Sequence, residues 1–99
     1  MIEKEYLKDD NEATIFLQHT AEAVFIHLDL RIWGRKVLRR IDKELIKIGK
    51  ALKERGYKNL YAYNENEDEK WIRFITLVGF TFAFLVEGKS IFAYSLRGL

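Results

Sequence analysis

The sequence predicts an α/β domain: a mixed, twisted sheet of about five strands with two helices. Three observations carry that expectation. Short runs of β-formers lie at both ends of the chain, two helical patterns lie between them, and a glycine closes each helical pattern.

In chain order, residues 13–18 (Ala-Thr-Ile-Phe-Leu-Gln) read as a strand, and 19–21 as a turn. Residues 23–28 read as a second strand, with Val24, Ile26 and Leu28 on one face and Phe25 and His27 on the other. Being apolar on nearly both faces, it reads as a strand covered on both sides. Val37, Ile41, Leu45, Ile48 and Leu52 then recur at steps of three and four, widened by Leu38 and Ala51, and draw one apolar stripe along a helix. Gly56 suits its C-terminus. Its start is either at a cap on Asp29 or just after a loop over 31–34.

Residues 59–63 are a short strand, and Asn66 with Glu69 resembles a capping box for a second helix through Trp71, Ile72, Phe74, Ile75 and Val78. Gly79 ends that helix. Strands over 80–86 and 91–96 follow, joined by a four-residue loop, Glu87-Gly88-Lys89-Ser90. The strand–helix–strand unit from Val24 to Tyr63 is expected to be a right-handed crossover between parallel strands.

Ninety-nine residues make one domain, 1–99, with 48% hydrophobic and 32% charged residues, an ordinary globular balance. There is no cysteine, which excludes disulfides, thiolate metal sites and cysteine nucleophiles. No apolar run approaches the ~18 residues of a membrane span, and the charged N-terminus is unlike a secretory leader, so a cytoplasmic protein is expected. Net charge is only +2, but acids crowd residues 3–12 and 65–69, whereas bases crowd the stretch from Arg31 to Arg55, interrupted only by Asp42, Glu44 and Glu54.

The motif Arg31-Ile-Trp-Gly34-Arg35-Lys36 ahead of the long helix, and Trp71…Phe74-Ile75…Gly79-Phe80 after the second, resemble the GNAT superfamily of acetyl-CoA-dependent N-acetyltransferases over roughly residues 13–96. The tail looks in particular like short phage-encoded GNAT-like proteins, in a truncated form of the core. The resemblance implies an acetyl-CoA site in which Arg31, Gly34, Arg35 and Lys36 hold the pyrophosphate; Lys36 stands where the family has glycine or alanine. Helix N-termini favour such anions through their free N–H groups and the dipole. It also implies a carboxylate base, for which Glu22 and Asp29 are the candidates, and a tyrosine acid four residues before Gly-Phe. That position is Ile75, which has no proton to donate, so whether the chain is an enzyme is left open. The C-terminal strands commonly take part in dimers in this family, so a homodimer is expected.

Two other functions stand beside acetyl transfer. One is a non-catalytic interaction module, acting on a phage or host protein, whose basic helix would suit an acidic protein surface. The other, less favoured, is nucleic-acid binding through the same helix. His19 and His27 lack carboxylates at ligand spacing, so no metal is expected. Trp33 and Trp71 are expected to plug the seam between helix and sheet.

Overall fold

A computed structural model describes residues 3–64 and 68–99. The elements are β1 (Glu3–Asp9), β2 (Ala13–His19), β3 (Val24–Leu30), α1 (Arg35–Glu54), β4 (Asn59–Ala62), α2 (Glu69–Leu77), β5 (Thr81–Val86) and β6 (Lys89–Ser95). They form a six-stranded sheet in the order β1-β2-β3-β4-β6-β5. The mixed α/β architecture is as expected, and so is the parallel β3–α1–β4 unit.

One strand more than expected is present. The acidic stretch at the start pairs antiparallel with β2 as the edge strand β1, with a bulge between Tyr6 and Lys8. Its sequence, Glu-Lys-Glu-Tyr-Leu-Lys-Asp, shows no apolar alternation because every residue but Lys8 is exposed. Backbone pairing to β2 holds it, helped by surface contacts such as Tyr6 on Phe16 and Thr14 Oγ1–H donating to Asp9 (2.9 Å).

The apolar stripe of α1 is buried as expected at Val37, Ile41, Leu45 and Leu52, with Ile48 and Leu38 half-buried; Ala51 is exposed. The helix starts at Arg35 after an extended Gly34, and Asp29 stays in β3 rather than capping it. Both helices close in the same way. Tyr57 N–H donates to Leu52 O and Gly56 N–H to Lys53 O; Phe80 N–H donates to Ile75 O and Gly79 N–H to Thr76 O. With Gly56 at φ 94 and Gly79 at φ 112, these are Schellman closures that only glycine enters without strain. The N-cap of α2 is Asp68, whose carboxylate accepts from Lys70 N–H at 3.0 Å. The expected cap Asn66 lies outside the described residues.

The C-terminal hairpin turns in two residues, Glu87 (φ 50) and Gly88 (φ 79), not four. Two positive φ angles match the twist of the flanking strands, so Lys89 and Ser90 remain in the ladder.

Both helices pack on the face carrying Ile15, Leu17, Val24, Ile26, Leu28, Leu60, Ala62 and Phe92, and all join one core cluster. The opposite face of β3 is not covered by a helix, contrary to the expectation of cover on both sides. Aromatic rings shield one another there instead. Tyr6 packs on Phe16 (4.9 Å), Phe16 stacks on His27 (4.4 Å), His27 meets Tyr63 (5.4 Å), Phe25 meets Tyr63 (5.9 Å) and Tyr61 (5.8 Å), and Tyr61 meets Phe84 (5.9 Å).

Candidate functional site

The parallel strands β3 and β4 share a single register pair, Phe25 with Tyr61. Near the C-terminal end of β3, the carbonyl of Leu28 accepts a hydrogen bond from Trp71 Nε1–H of α2 (3.2 Å). A cavity of about 330 Å³ opens there, lined by Thr14, Phe16, His27, Leu28, Asp29, Tyr63, Asn64 and Trp71. Open α/β sheets place ligands at this position, outside the carboxyl ends of parallel strands.

Four residues beyond β3, α1 begins. Gly34 is its N-cap, no side chain caps it, and no acid stands in its first turn. The amide of Leu38 donates to Gly34 O, so the helical bonds begin one turn in and the amides of Arg35, Lys36 and Val37 precede them. Arg35 and Lys36 are exposed and form no ion pair among the described residues. Nothing lies within 4 Å of where a Cβ on Gly34 would stand, so a side chain there meets no neighbour. The donor set suits a diphosphate: free N–H groups, a positive helix end and two cations.

Arg31 is placed differently from its three companions. Its guanidinium donates to the carbonyl of Asp10 and lies 3.7 Å from Asp9 and 3.6 Å from Asp29, so it faces the β1–β2 turn. The structure therefore brings Gly34, Arg35 and Lys36 together at the helix start and turns Arg31 away. Trp33 is exposed at the edge of the same loop; it meets Phe74 edge-on (5.6 Å) and takes the Lys70 ammonium over its ring (4.6 Å). Trp71 is buried, in the role expected of it.

Of the candidate bases, Glu22 is an exposed turn residue whose N–H donates to Thr20 Oγ1 (3.3 Å), away from the cavity lining. Asp29 lines the cavity and is highly exposed. Ile75 is fully buried in the core. Tyr63 lines the cavity, whereas Tyr94 packs on Phe80 (5.3 Å), and burial first, then the charge of Asp42, pushes its phenol above the usual tyrosine range. His27 is a half-buried residue of β3. It also lines the cavity, and its Nε2–H donates to Gln18 Oε1 (2.7 Å). Its alternation with Ile26 and Leu28 placed it on the second face of β3; only the ladder with β4 reveals Tyr63 beside it. His19 lies 3.3 Å from Glu5 at the sheet edge. No cluster able to hold a metal occurs among the described residues.

A mixed sheet, a parallel strand–helix–strand unit beside an uncapped helix start, and a closing hairpin define a GNAT-like α/β fold. A solved structure that the chain resembles is the PaiA N-acetyltransferase from Thermoplasma acidophilum in complex with coenzyme A, with a TM-score of 0.64. Identity is 17%, over 85% of this chain and 53% of that one, so the chain spans about half the length of that enzyme and the likeness is one of fold. No protein-family model and no curated protein matches the chain. No helix among the described residues is long and apolar enough to cross a membrane.

Proposed function

We propose that the chain binds coenzyme A or acetyl-CoA on its GNAT-like scaffold, with the diphosphate at the start of α1. The observation that carries this reading is the uncapped N-terminus of α1, flanked by the exposed Arg35 and Lys36 and reached by the loop that leaves the C-terminal end of β3. The N–H groups of Arg35, Lys36 and Val37 receive the phosphate oxygens, and the two side chains add positive charge. Arg31 serves this site indirectly, by fixing the loop to the β1–β2 turn.

When bound, acetyl-CoA would supply an activated acyl group. This chain contributes Tyr63, His27 and Asp29 at the cavity, where a proton is to be held or moved. With Ile75 at the position of the family's tyrosine acid, protonation of a leaving thiolate falls to water, and any turnover is slow.

A thermal-shift titration with CoA tests the reading. Ligand at a hundredfold excess over its dissociation constant adds roughly 2.7 kcal/mol, a rise of roughly ten degrees for a domain of this size. The double variant Arg35→Glu/Lys36→Glu places acids where the helix dipole favours them, so the free protein keeps its Tm while the CoA shift disappears. A flat titration of the unaltered chain at millimolar CoA overturns the reading.

A further inference from the structure

Between α1 and the bulged edge strand β1 lies an open cleft of about 320 Å³, which shares no residue with the cavity at the end of β3. Clefts of this volume take small molecules. Its apolar lining is Leu7, Ile15, Val37, Ile41 and Ile48, all branched aliphatics, with no aromatic ring. Leu7 owes its place to the bulge. Tyr6 pairs with Phe16 and Lys8 with Ile15, so Leu7 is the extra residue of β1. Neighbours along a regular strand point to opposite faces, yet Leu7 and Lys8 both line the cleft. Bulges re-aim side chains in this way, and this one holds a leucine that is 40% exposed over an apolar floor.

The charged rim is lopsided. Lys8, Arg40, Lys43 and Lys47 line it against two acids, Glu12 and Glu44. At one end the charges are matched. Arg40 holds Glu12 through two bonds (2.9 and 2.5 Å), and Lys8 binds Asp10 (2.7 Å) and lies 3.7 Å from Glu12. Further along α1 the balance tips to positive. Lys47 has Glu44 at 3.8 Å, and Lys43 forms no ion pair among the described residues.

We propose that this cleft binds a medium-chain fatty carboxylate, with its alkyl chain on the floor beneath Leu7 and its head group at Lys43 and Lys47. A flexible alkyl chain follows a floor of branched aliphatics, whereas a planar ring finds no aromatic partner there. The carboxylate brings the negative charge that the rim lacks at this end and takes charge-assisted hydrogen bonds from the two ammonium groups. A cationic amphiphile of the same length meets like charge instead. The site lies on the flank of α1 that faces β1 and stands independently of CoA binding at the helix start.

Isothermal titration of the full chain with octanoate and decanoate, each below its micelle concentration, tests the proposal. Saturable binding is expected, tightening about fourfold for each added CH₂ and so on the order of tenfold from octanoate to decanoate. Lys43→Gln/Lys47→Gln, at exposed positions, is expected to weaken decanoate binding about tenfold while the free protein unfolds at an unchanged temperature. Arg35→Glu/Lys36→Glu is expected to bind decanoate as the unaltered chain does, which separates this site from the CoA site. No saturable binding below the micelle concentration, equal affinity for the two chain lengths, or equal binding of decyltrimethylammonium overturns the proposal. So does a decanoate affinity that Lys43→Gln/Lys47→Gln leaves unchanged or that Arg35→Glu/Lys36→Glu abolishes.

Discussion

Trp71 Nε1–H donates to the carbonyl oxygen of Leu28 across 3.2 Å, and this bond ties α2 to the end of β3 beside the cavity. The indole is 5% exposed and packs edge-on against Phe92 at 6.0 Å. Trp71→Phe keeps an aromatic ring but leaves a buried carbonyl without its donor. The expected loss is about 1–3 kcal/mol of unfolding free energy, measured by urea denaturation. An unchanged midpoint would show that water replaces the indole at no cost.

Gly79 and Gly56 close the two helices with similar backbone angles but different surroundings. A Cβ on Gly79 would stand 3.0 Å from Tyr94 Cε2, whereas nothing lies within 4 Å of one on Gly56. Both alanine variants carry the left-handed penalty of about 1 kcal/mol. Gly79→Ala adds the collision with a ring held by Phe80, so it is expected to be the more destabilising of the two. Equal losses in parallel thermal melts would contradict this packing.

Asp10 organises the β1–β2 turn. Its carboxylate accepts from Lys8 Nζ (2.7 Å) and from the backbone N–H groups of Glu12 (2.8 Å) and Ala13 (3.1 Å), and these bonds, led by Lys8, lower its pKa from 3.8 to about 2. A folded pKa below the unfolded one means the contribution is complete above 3.8 and is lost as pH falls through about 2. The amide resonances of Glu12 and Ala13 are therefore expected to titrate with a midpoint near 2, and Asp10→Asn to abolish that titration. A midpoint at 3.8 would mean the turn is open in solution.

This turn also marks where the sequence was readable and where it was not. The stripe from Val37 to Leu52 and the closing glycines Gly56 and Gly79 are local signals, and the structure has each in its expected role. β1 is held by backbone pairing to β2 and so leaves no periodic trace. Lys89 and Ser90 look like loop residues by composition, yet the two-residue turn keeps them in the ladder. The burial of Phe82 and Phe84 cannot be read from their alternation along the strand, and the position of β5 at the edge exposes them. That Gly34, Arg35 and Lys36 stand together at the start of α1 was legible because they adjoin the helix they begin. The position of Arg31 was not legible, because Asp9 and Asp10, which hold it with Asp29, come from the unforeseen hairpin of β1.

The amides of Arg35, Lys36 and Val37 are the proposed receivers of the CoA diphosphate. The most direct test is a backbone-amide NMR titration of the full chain with CoA. The account predicts that the largest shift changes fall on Arg35, Lys36 and Val37, saturate together, and vanish in Arg35→Glu/Lys36→Glu. Saturable changes centred elsewhere, or none at millimolar CoA, would contradict it.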